Sequence, residues 1–107
     1  MFHSETVIVQ GLAEIRAIFR GKQRVVLRST PGAGLFAGAG WWRALIAAAE
    51  AEFPGRIEAD ILDCADAPGQ AMAALRAGCR HVALDRACPA WNAVAGAAEA
   101  CGAILLA

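Results

Sequence analysis

Polar and reactive side chains follow three of the apolar runs in this sequence. They are Arg28, Ser29 and Thr30; Asp63, Cys64 and Asp66; and Asp85, Arg86 and Cys88. Ligands of parallel α/β sheets bind beyond the carboxyl ends of the strands, where loops lead into helices. We therefore expect a site where these three groups meet.

Three residues of this set could do chemistry. Asp63 and Asp85 end strands that we expect to be neighbours, so they could serve as an acid and a base. Cys64 precedes a helix whose dipole favours a thiolate, so it is a candidate nucleophile. It is a weaker candidate than the two aspartates, because Asp63 and Asp66 flank it and oppose its ionisation. The sequence leaves open whether the chain is an enzyme.

The cysteines show no metal-binding or redox spacing. Cys64, Cys79, Cys88 and Cys101 include no Cys-x-x-Cys pair, so we predict no metal site, and no cofactor is predicted either. In a reducing compartment they are first interpreted as small buried hydrophobes. Pairing of Cys64 with Cys88, and of Cys79 with Cys101, stays open.

A glycine-rich segment, residues 29–40, follows the run at 24–28. Backbone N–H groups near a helix start favour an anion, and we expect Arg28 or Arg43 to add positive charge. The match to the dinucleotide fingerprint is formal, because the next strand-end acid follows too late for ribose contact. Glycines that serve packing and flexibility are the alternative. The predicted ligand-binding residues are Arg28, Ser29, Thr30, Gly32, Gly34, Gly38 and Gly40.

Trp41 and Trp42 are candidate interface residues. Adjacent residues on a helix do not share a face, so Trp41 and Trp42 cannot both be fully in contact with one core. One of them is expected to reach a pocket, a partner subunit or solvent. Since tryptophan is enriched in interface hot spots, we predict a homo-oligomer.

Strand-like and helix-like patterns alternate along the whole chain. The apolar runs expected to form strands are Thr6–Val9, Arg24–Arg28, Ile61–Leu62, His81–Leu84 and Ala103–Leu106. Helical spacing fills the intervals, with Gly21, Gly78 and Gly102 as stops. The predicted order is βαβαβαβαβ.

This order predicts an α/β fold with a layered open parallel sheet of about five strands. Strands that are unbroken apolar runs are typical of parallel sheets covered on both faces, so a doubly wound arrangement is the first expectation. A half-barrel completed by dimerisation is the alternative, because five strands are too few to close a barrel of eight. The length of 107 residues predicts a single domain, 1–107.

Charge and hydropathy limit the partners. Ten basic and ten acidic residues leave a net charge of zero, which removes the electrostatic footprint of a nucleic-acid binder. The start of the chain does not look like a signal peptide, and no apolar run is long enough to span a membrane. We expect a cytoplasmic protein with neither nucleic acid nor membrane as a partner.

Residues 63–85, above all the stretch AALRAGCRHVALD at 73–85, resemble the βα units of phosphate-binding (β/α) barrels. In the quinolinate phosphoribosyltransferase and thiamine-phosphate synthase type, an Ala-Gly-Ala-Asp turn leads to an apolar strand ending in Asp. Here Cys79 and Arg80 replace Ala and Asp. The resemblance covers about a quarter of the chain and implies a parallel strand, with no implication for reaction or substrate.

Together these observations predict a small cytoplasmic α/β domain that binds a small anionic ligand or a protein partner without catalysis. A small enzyme with Asp63 and Asp85 as acid and base is one alternative. A structural oligomer subunit, which needs only the Ala-rich helix faces and the tryptophans, is another.

Overall fold

Strands and helices alternate through residues 2–107, the part of the chain that the computed structural model describes. The strands are β1 (Thr6–Val9), β2 (Val25–Ser29), β3 (Ile57–Asp63), β4 (His81–Ala83) and β5 (Ile104–Leu106). The helices are α1 (Leu12–Gly21), α2 (Ala33–Phe36), α3 (Gly38–Glu52), α4 (Pro68–Arg76) and α5 (Trp91–Ala100). The five strands form one sheet in chain order, and every neighbouring pair is parallel. The predicted α/β fold with an open layered parallel sheet is confirmed.

Two parts of the chain differ from the predicted bounds by more than one residue. β3 begins at Ile57, four residues before the predicted strand. The prediction missed the stretch 57–60 because it alternates apolar and acidic residues and shows no apolar run. The glycine-rich segment is mostly helical, since it contains all of α2 and the first turn of α3. The segment therefore contributes one short helix and the start of a longer one.

All the helices lie on one face of the sheet. Buried residues from every helix share one core cluster with sheet residues such as Val9, Leu27 and Leu62. The prediction of a doubly wound sheet, with helices on both faces, is wrong in this respect. Right-handed crossovers between strands that are adjacent in chain order return to the same side each time, so the sheet is wound on one side only.

The opposite face, here called the helix-free face, carries a second and smaller cluster. Its buried members are Val26, Ala59, Ile61 and Ala83, and the residues packed against them are Phe2 and Leu106. No helix of the described residues contributes to this cluster. The cover comes from the start of the chain instead.

Residues 2–5, here called the N-terminal strap, cross the amino half of the helix-free face. The backbone N–H groups of His3 and Ser4 donate to the Glu58 carboxylate at 2.9 and 2.7 Å, and the carbonyl of Glu5 accepts from Val26 N–H at 2.9 Å. The hydrogen bonds from His3 and Ser4 lower the pKa of Glu58 to about 2. The strap is thus held by an ionised carboxylate.

Among residues 2–107, no helix combines the length and the apolar character that crossing a bilayer requires.

Candidate functional site

A cleft opens at the carboxyl end of the helix-free face. Its volume is about 430 Å³, and its polar lining residues are Arg28, Asp63, Asp66 and Asp85, with Ala65 and Ala83 between them. We call it the carboxyl-edge cleft. It draws on the ends of β2, β3 and β4, and at least one side chain from each of the three groups that the sequence placed at one edge lines it.

Asp63 is the centre of the hydrogen-bond network in this cleft. Its Oδ1 accepts from the N–H groups of Gly32 and Ala65, both at 2.9 Å, and its Oδ2 accepts from Arg28 Nη2 at 2.9 Å. Its own N–H donates to Ser29 Oγ at 2.8 Å. One carboxylate therefore joins β2, the glycine-rich segment and the loop after β3.

These contacts keep Asp63 ionised. Burial raises the pKa of Asp63, but the hydrogen bonds from Gly32, Arg28 and Ala65 outweigh burial and bring the pKa below its ordinary value. Both oxygens are engaged, so Asp63 is poorly suited to exchange a proton with a substrate. The geometry makes it a positioning residue.

We expect Asp63→Asn to destabilise the domain by about 1–3 kcal/mol at pH 7, because an amide cannot keep both the ion pair and the hydrogen bonds. A lowered pKa contributes stability above the unfolded value near 3.9, and this contribution disappears as the pH falls through the folded value. The difference between wild type and variant should therefore shrink from pH 7 to pH 3. Urea unfolding at the two pH values measures it.

The control for this prediction is Asp66→Asn, which removes an exposed carboxylate from the same cleft. Exposed substitutions of this kind usually stay within about 0.5 kcal/mol. A wild type and an Asp63→Asn variant that differ by the same amount at both pH values would contradict the assigned ionisation.

Asp85 lies at the other side of the cleft and is exposed. Its Oδ1 accepts from Ala87 N–H at 2.9 Å, while its backbone N–H donates to the carbonyl of Ala65 at 2.7 Å. Its Oδ2 therefore faces solvent, available to a ligand. Asp66 does not cap α4, because Ala67 is the N-cap residue and makes no side-chain hydrogen bond.

Ala65 is a feature that the sequence did not indicate. It has a φ of +49°, and it is the one non-glycine residue with positive φ in residues 2–107. The left-handed conformation costs an alanine roughly 1–2 kcal/mol. Bonds from Ala65 N–H to Asp63 and from Asp85 N–H to its carbonyl hold this conformation in the wall of the cleft. Such strain concentrates at functional sites.

Cys64 is buried and is turned away from the cleft, against Gly34. Burial, followed by the negative charge of Asp63, raises its pKa to about 12. Its thiol stays protonated at neutral pH, which argues against a nucleophilic role. All four cysteines are free thiols, so neither of the pairings left open by the sequence, Cys64 with Cys88 and Cys79 with Cys101, is present.

The predicted anion-binding residues are brought only partly together. Ser29 is fully buried and bonded to Asp63, whereas Thr30 lines a separate cavity of about 420 Å³ that also contacts Trp41. Gly32 donates its N–H to Asp63, and Gly34 packs against Cys64. Gly38 and Gly40 lie in the first turn of α3. The close contact of Gly34 matches the packing alternative, whereas a Cβ on Gly38 or Gly40 would meet nothing within 4 Å.

The two arginines expected near this segment are engaged elsewhere. Arg28 pairs with Asp63, and Arg43 donates from Nη1 to the carbonyl of Gly78 at 2.8 Å, at the amino edge of the sheet. Each guanidinium is thus engaged by a partner outside residues 32–40. The anion hypothesis for the glycine-rich segment loses its source of positive charge.

The adjacent tryptophans have different environments, as the sequence predicts. Trp42 is fully buried and donates from Nε1 to Asp60 Oδ1 at 3.1 Å. Burial raises the pKa of Asp60, although the indole hydrogen bond opposes it. Trp41 is partly exposed, so only Trp41 of the two candidate interface residues is on the surface.

Within the described residues, no three His, Cys, Asp or Glu side chains are grouped so that they could hold a metal ion. No protein-family model, curated protein or solved structure matches the chain. The resemblance of residues 63–85 to phosphate-binding barrels stays a prediction, and the site has to be interpreted from its own geometry.

Proposed function

We propose that this chain is a small domain that binds a small polar molecule at the carboxyl-edge cleft without catalysing a reaction. The observation that carries the proposal is the convergence of Arg28, Asp66 and Asp85 around a cleft of about 430 Å³. This volume lies in the range of small-molecule sites, roughly 300–1,000 Å³. The strained Ala65 in the wall adds support.

The charge of the cleft defines the class of ligand. Three carboxylates face one guanidinium, and that guanidinium is already paired with Asp63. An anion would meet unfavourable electrostatics there, whereas an amine or a hydroxyl could donate to Asp66 and Asp85. We therefore favour an amine or a polyhydroxylated molecule over the anion predicted from the glycine-rich segment.

The enzyme alternative has less support. An acid–base pair needs two groups that can exchange protons, and Asp63 is kept ionised by three hydrogen bonds. Asp85 would have to act alone. Binding without catalysis remains the proposal, in a protein that we propose to be cytoplasmic.

A matched set of three probes tests the proposed function. Propylammonium, 1-propanol and propionate have nearly the same shape and carry a positive, zero and negative charge. We expect propylammonium to shift the amide NMR signals of Ala65 and Asp85 and to bind at least fivefold more tightly than propionate. Asp85→Asn should weaken it about threefold to tenfold, or about 0.7–1.4 kcal/mol.

Glu99→Gln is the control variant, because Glu99 is exposed on α5, outside the cleft. It should leave the binding of propylammonium unchanged. Absence of any shift at Ala65 and Asp85 with all three probes would overturn the proposed function.

Self-association is a second candidate function, as in the predicted homo-oligomer or structural subunit. The observation that favours it is an apolar surface on α2, where Phe36 is 74% exposed and Leu35 is 47% exposed, close to Trp41. Exposed apolar patches of this kind often mark contacts between proteins. Measuring the mass of the protein in solution distinguishes a monomer from a homo-oligomer.

A further inference from the structure

Phe2 packs on the helix-free face, against a cluster of which one member also lines the carboxyl-edge cleft. Phe2 packs against the cluster of Val26, Ala59, Ile61 and Ala83, and its ring contacts His81 edge-on with 5.3 Å between the ring centroids. His81 and Ala83 are two residues apart on β4, about 6.6 Å along the strand. Ala83 also lines the cleft.

Ala83 is therefore the residue that the two regions share. Ala83 belongs both to the lining of the polar cleft and to the apolar cluster on which Phe2 packs. The flanking members of the cluster are apolar and buried: Val26 is 0% exposed and Ile61 is 2% exposed. The Phe2 ring therefore packs on apolar, buried residues next to Ala83, which also lines the cleft.

The N-terminal strap holds the ring there without making it part of the main core. The anchors are the bonds of His3 and Ser4 to Glu58 and the bond between Glu5 and Val26. None of them involves the Phe2 side chain. The ring can thus be replaced while the backbone of the strap keeps its contacts.

We infer that the Phe2 ring blocks the apolar surface beyond Ala83 and so limits the ligand of the carboxyl-edge cleft to a polar head with a short apolar part. This inference rests on the proposed function. The polar head lies among Asp66 and Asp85, and the apolar part extends past Ala83 until it meets the ring. Phe2 is then a specificity-determining residue, since it sets ligand length.

A series of n-alkylammonium ions from propyl to heptyl tests this inference, with affinities measured from the amide shifts of Ala65 and Asp85. In the wild type, affinity should stop rising after the first one or two methylene groups beyond propyl. In Phe2→Ala the rise should continue for two or three more methylene groups, by up to about fourfold per methylene. Phe2→Leu should move the limit by a smaller amount and keeps an apolar residue on the cluster if Phe2→Ala unfolds.

Phe36→Ala is the matched control, because it removes the same atoms from an exposed position on α2. It should leave the chain-length limit unchanged. If the wild type binds the short ions but Phe2→Ala and Phe2→Leu keep its length limit, the inference about Phe2 is wrong and the proposed function stands. If no ion in the series shifts the two amides in any of these proteins, both fail.

Discussion

Trp42→Ala should lower the free energy of unfolding by about 3–5 kcal/mol, the range for a large aromatic removed from a core. Trp42 is fully buried between α3 and β3, where its indole N–H is a partner of the partly buried Asp60 carboxylate. The substitution leaves a cavity and also removes that donor. Chemical denaturation followed by circular dichroism measures the loss.

Trp41→Ala is the matched control for this experiment, because it removes the same side chain one residue away at a partly exposed position. We expect it to cost clearly less than Trp42→Ala. Trp42→Phe separates the two causes, since it keeps most of the volume and removes only the donor to Asp60. Equal losses for Trp41→Ala and Trp42→Ala would contradict the assignment of Trp42 to the core.

Gly34→Ala should destabilise the domain by about 1–3 kcal/mol, the usual cost of overpacking. A Cβ on Gly34 would lie 2.6 Å from Cys64 Sγ and 3.1 Å from the carbonyl oxygen of Asp63. The sulfur belongs to a buried side chain and the oxygen to the backbone, so neither can move without disturbing β3. Because Asp63 organises the cleft, the same variant should also weaken ligand binding.

Gly40→Ala provides the control in the same segment. A Cβ there meets nothing within 4 Å, and Gly40 lies in the first turn of α3. Alanine favours helix over glycine by up to about 1 kcal/mol, so this variant should be neutral or slightly more stable. A loss of stability in Gly40→Ala as large as that in Gly34→Ala would show that close packing does not explain the effect of Gly34→Ala.

The direction of the strands was predictable from local pattern, because unbroken apolar runs between helical segments indicate a parallel sheet. The glycine-rich segment was not. Glycine and alanine carry no periodic pattern of large side chains, and the packing of Gly34 on Cys64 involves residues 30 positions apart. A long-range contact of this kind leaves no local signal.

The one-sided arrangement of the helices also depends on information that no single segment holds. The order in which strands join the sheet decides the face to which each crossover returns. The sequence held one sign of a sheet face without helices, which is the apolar residue Phe2 ahead of β1. It packs on the helix-free face, which has no helix in the described residues to cover it.

The position of the candidate site was predictable from the sequence, but the hydrogen bonds among its residues were not. The rule for parallel sheets brings Arg28, Asp63 and Asp85 to one edge, and the cleft is found there. Which carboxylate would be engaged depended on Gly32 and Ala65, whose backbone N–H groups have no residue-type signature. The roles of Asp63 and Asp85 therefore differ, although the sequence treated them alike.

Because all the helices lie on one side of the sheet, the two sets of alternating side chains on a strand have different roles. On β2, Leu27 belongs to the core shared with the helices, while its neighbour Arg28 faces the cleft. A substitution at one position tests folding, and a substitution one residue further tests recognition. New ligand preferences can therefore arise on the helix-free face while the residues that fold the domain stay as they are.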